Sequence, residues 1–267
     1  MSDQIRYPTS IGTSDPDSIT LLGHNLSTEL LGQIGFSELA FWLITGQRPT
    51  PGQARVFETV LVALADHGLT PTAIATRVTY LSAPDSIQGA LAAGLLGGGS
   101  RFLGVTEDTG QFLAAAISGL GLPAAELAGW SDQQWDEVAE QAVREQRAAG
   151  RFVPGLGHPM HKNGDPRTPV IIEIAEQAGV RGPHLRLFEA IGRVHDRVLG
   201  KRLPLNGAGV CGAALADAGI PVELLRGVAL LARAAGLLGH LAEELRRPIG
   251  MDVYRLVEEH ADYVDPR

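Results

Sequence analysis

The sequence predicts an almost wholly α-helical protein built as two lobes. Three observations carry that expectation. Apolar residues recur at spacings of three and four along most of the chain, the period of one helix face. Few segments alternate with period two over a strand's length, so only a little β structure is expected, near the N-terminus. Many of the 33 glycines and 16 prolines punctuate the periodic stretches and do not form low-complexity sequence, and so mark specified turns, not disorder.

In order, the first helical candidate is Ser27–Thr45, followed by a helix carrying Val56, Val60, Ala63 and Leu64 on one face. Thr72–Leu81, Ser86–Leu95 and Thr109–Leu120 come next. Ser131 with Gln134 three residues later reads as a capping box that starts Asp132–Ala149. Val170–Ala178 precedes a face of Leu187, Phe188, Ile191, Val194 and Val198. The longest amphipathic stripe runs through Leu224, Val228, Leu231, Ala235, Leu238, Ala242 and Leu245. Pro123, Pro154, Pro166, Pro204 and Pro221 lie between these stretches, where a missing N–H costs little. The flanks are Ala/Leu-rich, and the middle carries nine of the 20 Arg and four of the eight His. A discontinuous large lobe, 1–105 and 205–267, with a small lobe inserted at 106–204, is therefore expected, with a ligand cleft between them.

Composition narrows the partners. With 22 basic against 30 acidic residues the net charge is −8, the wrong sign for non-specific nucleic-acid binding. Aromatic residues are few and not interleaved with basic ones, which argues against a base-stacking surface. One cysteine, Cys211, makes no internal disulfide and is too few for a cysteine zinc site. The start MSDQIRYPTS lacks the basic and apolar regions of a signal peptide, and no uncharged apolar run reaches the ~18 residues of a membrane span. The expectation is a cytoplasmic protein with neither a nucleic-acid nor a membrane partner.

Four stretches combine glycine turns with polar groups foreign to their apolar flanks. In Ala65-Asp66-His67-Gly68, Gly68 is placed as a helix C-cap, and His67 reads as a half-buried cation for a carboxylate or carbonyl, or as a cap alone. In Gly94–Gly104, Gly97, Gly98 and Gly99 permit close backbone approach, with Ser100 and Arg101 as donors; close helix packing is the plainer alternative. The segment lacks the endings of a P-loop or a dinucleotide-binding turn. The third stretch, Pro154–Arg167, crowds His158, His161, Lys162, Asp165 and Arg167 among turn residues. His158 suits general acid/base work, and Lys162 and Arg167 suit phosphate and carboxylate. Spacing suggests no further ligands to complete a zinc site with His158 and His161, and a merely solvated loop is the alternative. Finally, Arg226, Arg233, His240 and Arg247 recur every seven residues as a cationic stripe beside the apolar face, for carboxylates, for a dimer partner, or simply for water. There is no GxSxG, HExxH or CxxC, which weakens hydrolase, zincin and redox readings.

Together, and in this order, these segments resemble the citrate synthase superfamily over nearly the whole chain. Gly35 to Thr50 is similar to its early helix and turn; ADHG, GLGHPMHKNGDPR and ARAAGLLGH are similar to its substrate loops. GGGSRFLG resembles the corresponding segment of the citryl-CoA lyase module, found also at the C-terminus of ATP-citrate lyase, more than that of citrate synthase. The resemblance implies a helical two-lobe homodimer with its site in the cleft. It implies that His67 binds substrate, that His158 handles the proton of a substrate hydroxyl or carbonyl, and that Arg167 and Arg233 clamp carboxylates, with Arg247 or Arg246 as a further clamp. Arg101 and Asn206 would add substrate contacts. Leu156, Gly157 and Lys162 would lie on the CoA side, with Lys162 near its phosphates.

Two departures stand out. The family's catalytic aspartate lies in a stretch like Asn-Val-Asp-Gly, and Ala208 of Asn206-Gly207-Ala208-Gly209 stands in its place. Ser100 replaces both the synthase histidine and the lyase aspartate, and would join His67 and His158 as the catalytic set. The implied activity is a citryl-CoA lyase-like carbon–carbon lyase whose substrate or product is a coenzyme A thioester, with an oxo or hydroxy acid as its other small-molecule partner. No tightly bound cofactor and no metal is implied. The alternatives are an inactive acyl-CoA or tricarboxylate binder and a retro-Claisen hydrolase of a β-ketoacyl-CoA.

Overall fold

The computed structural model describes residues 6–158 and 161–266. The expected N-terminal β structure is a three-stranded antiparallel meander, β1 (Gly12–Ser14), β2 (Ile19–Leu21) and β3 (His24–Asn25). The Asn25 side chain then accepts the N–H groups of Ser27 and Thr28, capping one wide turn at Leu26–Leu30. Gly32, at a positive φ of 75°, ends that turn. The helix expected over Ser27–Thr45 is therefore split, and its second part is α1 (Phe36–Thr45).

The remaining helices are α2 (Pro51–Leu64), α3 (Pro71–Ser82), α4 (Ile87–Leu96), α5 (Val105–Ser118), α6 (Ala124–Leu127), α7 (Asp132–Ala148), α8 (Arg167–Gln177), α9 (Pro183–Leu199), α10 (Gly207–Asp217), α11 (Leu225–Arg246) and α12 (Gly250–Glu259). Local chemistry sets many of their starts. Thr50 with Gln53, and Ser131 with Gln134, form reciprocal capping boxes on α2 and α7. Proline opens α2, α3 and α9, where its fixed φ suits the first turn. Asp217, at the end of α10, accepts the N–H groups of Gly182, His184 and Leu185 and so caps α9.

Three helices were absent from the sequence expectation, among them α6, a single turn of four residues. In α10 eight of eleven residues are buried, so it carries no polar face for periodicity to detect. In α12, by contrast, Gly250 is the only residue buried. A further difference concerns the phase of α11. It buries Leu225, Val228, Ala229, Ala232, Leu237 and Leu241, and leaves Leu238 and Leu245 exposed at 47% and 68%, with Leu224, just before its first residue, exposed at 45%. Both stripes are apolar, so hydrophobicity alone did not choose between them. The consequence is that Arg233 and His240 lie on the buried face, not in a solvated stripe.

Packing arranges these helices around one continuous core that includes Phe57, Leu113, Trp135, Leu185, Phe188, Ile191, Leu215 and Leu225. Helix α7 lies along α9, α5 along α10, and α3 against α4, α11 and α12. The α5–α10 approach is close because a Cβ on Gly212 would collide with the Thr106 carbonyl. A buried ion pair, Arg77 Nε to Glu244 Oε2 at 2.5 Å, ties α3 to α11, and Glu244 also accepts the Gly250 N–H at 2.7 Å, starting α12. No helix among the described residues is long and apolar enough to cross a membrane.

Candidate functional site

The site begins where α2 stops. The carbonyls of a helix's last turn have no intrahelical donors. Here two guanidinium groups supply them. Arg167 donates to the Ala63 carbonyl at 3.2 Å. Arg233 donates through Nε and Nη2 to the Leu64 carbonyl at 3.4 and 3.3 Å, and through Nη1 to Thr70 Oγ1. These contacts underpin the turn Ala65–Gly68, in which Gly68 takes φ +74° and donates its N–H to the Asp66 carboxylate at 2.7 Å. His67 rides on this turn and is exposed, not half-buried in the last helical turn, because α2 ends three residues before it. Asp66 also meets His240 Nε2 at 2.9 Å. Burial works against its ionisation, but the Gly68 N–H and His240 hold its carboxyl below the usual carboxylate range.

The second component is the loop from Val153 to Arg167. Gly155, Gly157 and Gly164 have positive φ, which only glycine adopts without cost. Gly157 donates its N–H to Pro204 O at 2.7 Å, the Gly155 carbonyl accepts from Asn206 at 2.9 Å, and Leu156 bridges Leu205. The loop is thereby pinned to the start of α10. Asn206 is spent on this joint: Oδ1 caps α10 at Gly209 N, and Nδ2 donates to Gly157 O. Both of these contacts are internal to the chain.

Asp165 is the buried centre of this region. Its Oδ1 accepts from Arg167 N and Nε at 3.1 and 3.0 Å, and its Oδ2 from Arg167 Nη2 at 2.8 Å and Gly207 N at 2.7 Å. Burial alone would raise its pKa; the Arg167 and Gly207 hydrogen bonds outweigh it and hold the carboxyl far below its ordinary value. A guanidinium has five N–H groups. Asp165 and Ala63 use three of those on Arg167, leaving one on each terminal nitrogen beyond these two partners. Burial lowers the pKa of Arg233, whose guanidinium is turned to backbone and hydroxyl acceptors.

Across this base three imidazoles converge. Ring centroids are 5.8 Å apart for His67 and His158, 6.3 Å for His67 and His161, and 4.4 Å for His158 and His161. His158 Nδ1 accepts the His161 N–H at 2.9 Å, and its Nε2 stands 3.9 Å from Asp165 Oδ2. Burial first, then the neighbouring His161 and His67, lower the pKa of His158 against the opposing pull of Asp165, so the ring is neutral at pH 7. A neutral imidazole whose Nδ1 is an acceptor carries its proton on Nε2.

The structure therefore gathers His67, His158, Arg167 and Arg233. Ser100 and Arg101 are exposed beyond α4, and among the described residues no hydrogen bond or ion pair joins them to the histidines. Packing explains part of that glycine run: a Cβ on Gly98 would meet Leu103 and Leu230 at 2.8 Å. Lys162, Arg246 and Arg247 are exposed as well. Arg226 is paired with Glu107 at 2.8 Å, so three of the four stripe residues, Arg226, Arg233 and His240, make separate internal contacts. Ala208 is half-buried in the first turn of α10, beside the Gly207 N–H that Asp165 takes. Pro159 and Met160 of the loop lie outside the described residues. Sequence reasoning missed Asp165 as the hub, His161 as third imidazole and the Asp66–His240 link. Only the crowding of polar residues among glycines hinted at the first two.

A family model for the C-terminal domain of citrate synthase matches residues 21–255. The chain is 28% identical to a citryl-CoA lyase from Hydrogenobacter thermophilus of known structure, covering 98% of this chain and 95% of that one with a TM-score of 0.83. It is 25% identical, with a TM-score of 0.73, to an aspartate-to-alanine mutant of ATP citrate lyase from Methanosaeta concilii solved with (3S)-citryl-CoA, covering 98% of this chain and 43% of that one. It is also 25% identical over 233 residues to citrate synthase 2 of Bacillus subtilis, 87% of this chain and 56% of that protein. The chain spans about half the length of the curated citrate synthases it matches.

Proposed function

Because the chain belongs to the citrate synthase family, we propose that it is a citryl-CoA lyase-like carbon–carbon lyase. It would cleave a carboxylated 3-hydroxyacyl-CoA, citryl-CoA or an analogue, to a shorter acyl-CoA and an oxo acid. The observation that carries this reading is the convergence of His67 and His158 over Arg167 and Arg233, in a chain that matches a citryl-CoA lyase end to end.

The hydrogen-bond pattern supports the following division of roles. Neutral His158 holds its proton on Nε2, so it donates to a substrate oxygen rather than taking the hydroxyl proton. Acceptance of that proton falls to His67, the exposed imidazole on the turn after α2. The carbon–carbon bond then breaks, its electron pair passes to the acyl-CoA fragment as an enolate, and water protonates the enolate carbon, since Ala208 carries no acid. Arg167 and Arg233 hold carboxylates, and Leu156, Gly157 and Lys162 face the CoA, in this proposal. The relative that holds (3S)-citryl-CoA with an aspartate replaced by alanine supports thioester binding surviving such a loss.

The proposal also comprises a cytoplasmic homodimer with the lobe boundaries at residues 105 and 205. The exposed apolar seam of Leu238 and Leu245 on α11, with Leu224 at its N-cap, supports self-association, since a two-fold axis lets one such seam cover its copy. Incubation with citryl-CoA, following acetyl-CoA and oxaloacetate against a free-CoA control, tests the activity. Product from the native chain supports it, and Ala208→Asp should raise turnover by ~10²–10⁴-fold, the usual worth of a positioned acid/base. No product from either protein would sink it. Ala208 itself favours a second reading, a binder that does not turn over; tight calorimetric binding of CoA thioesters with no single-turnover product would support that one.

A further inference from the structure

We propose that His67, His158 and His161 form a binding site for one divalent transition-metal ion of the zinc class. Each offers a ring nitrogen, and all three nitrogens lie within 4.8 Å of one another. Three imidazoles on a tetrahedral Zn²⁺, with metal–nitrogen bonds of about 2.0–2.1 Å, have donor atoms about 3.4 Å apart. A closure of roughly 1 Å converts the present cluster into a ligand set with a fourth position for water; the ion would take the His67 lone pair that the proposed lyase step needs, so the metal-bound chain is the inactive one. The ligands come from two separately supported turns: His67 follows α2, whose end Arg167 and Arg233 hold, and His158 and His161 sit in the loop flexed at Gly155, Gly157 and Gly164.

The surroundings suit a cation. A metal needs an imidazole lone pair. On His158 that lone pair is on Nδ1, where it now accepts the His161 N–H. Metal would replace this hydrogen bond and leave Nε2–H facing Asp165 Oδ2, 3.9 Å away. A ligating histidine whose other nitrogen points at a carboxylate is the usual outer arrangement of metal sites. The nearby guanidinium of Arg167 is neutralised by Asp165 at 2.8 Å, and Asp66 adds a carboxylate next to His67. An all-imidazole set selects Zn²⁺, Co²⁺ or Ni²⁺ over Mg²⁺ or Ca²⁺, which prefer oxygen.

The test uses the full chain, without an affinity tag and dialysed against chelator, titrated with Co²⁺ by visible absorption and with Zn²⁺ by calorimetry. One equivalent should bind, with the strong d–d absorption of tetrahedral Co²⁺. His161→Gln should weaken binding by at least about 10-fold, the lower end of what losing even an outer partner costs. In the unmodified protein, Co²⁺ should shift the ring resonances of three of the eight histidines, a readout that needs no variant to fold. No saturable uptake, affinity unchanged in His161→Gln, or fewer than three shifted rings would overturn the proposal. Metal uptake is measured without any thioester, so its failure leaves the lyase reading standing, and an inactive protein that binds Co²⁺ leaves the metal site standing.

Discussion

Replacing Asp165 with asparagine removes a charge but keeps the shape. The native carboxylate accepts three hydrogen bonds from Arg167 and one from Gly207. Asparagine has one oxygen. Whichever way the amide lies, an NH₂ faces donors where an oxygen stood, and two hydrogen bonds are lost. An unsatisfied donor costs ~1–3 kcal/mol. Arg167 is partly exposed, its side chain 24% accessible, so water relieves some of the loss. The expected destabilisation at pH 7 is about 3 kcal/mol, or roughly 6–12 °C in Tm at about 2–4 °C per kcal/mol. The sign of the pH effect follows from the depressed carboxyl. Its stabilisation is fully present above the ordinary value of 3.8 and is lost as pH falls from there toward the lower folded value. The gap between the two proteins should therefore narrow at pH 3. Urea unfolding at pH 7 and pH 3 measures both quantities. A loss under about 1 kcal/mol at pH 7, or a gap unchanged at pH 3, would refute the assignment of Asp165 as the hub of the site.

Three further outcomes are expected. Gly212→Val should unfold the chain or cost ~3 kcal/mol or more, since the added carbons meet the Thr106 carbonyl; Gly227→Ala, with no neighbour within 4 Å, is the control in the same circular-dichroism melts. Leu238→Glu with Leu245→Glu should shift the chain to monomer in light scattering while leaving its helical spectrum intact. For His158, the folded pKa lies below the unfolded 6.5, so its contribution to stability is present above pH 6.5 and declines as pH falls through the folded value; His158→Gln should remove that component from the acid side of a stability–pH profile.

Much of the fold was legible in local chemistry. The capping residues Thr50 and Ser131, the prolines that open α2, α3 and α9, and the apolar face of α9 act within a few residues, so sequence spacing reports them directly. The candidate loops were legible for a related reason: His67, His158 and Arg167 sit among glycines whose backbone conformations other residues resist. Long-range partners left no such trace. α10 is apolar on every side, so it has a period only once neighbours surround it. α11 offered two apolar stripes, and the choice between them rests on α2, whose last carbonyls need Arg233, and on Asp66, which needs His240.

The sequence by itself determined that the chain is helical, where its turns fall, and which family's substrate loops it resembles, because propensity, capping and glycine geometry are local. Only the tertiary structure decided what each charged side chain does. It bound Asp165 to Arg167 and Gly207, spent Asn206 on a cap, and set three imidazoles together from loops some ninety residues apart. Hydrogen bonding and electrostatics act through space, and folding alone brings those partners within reach.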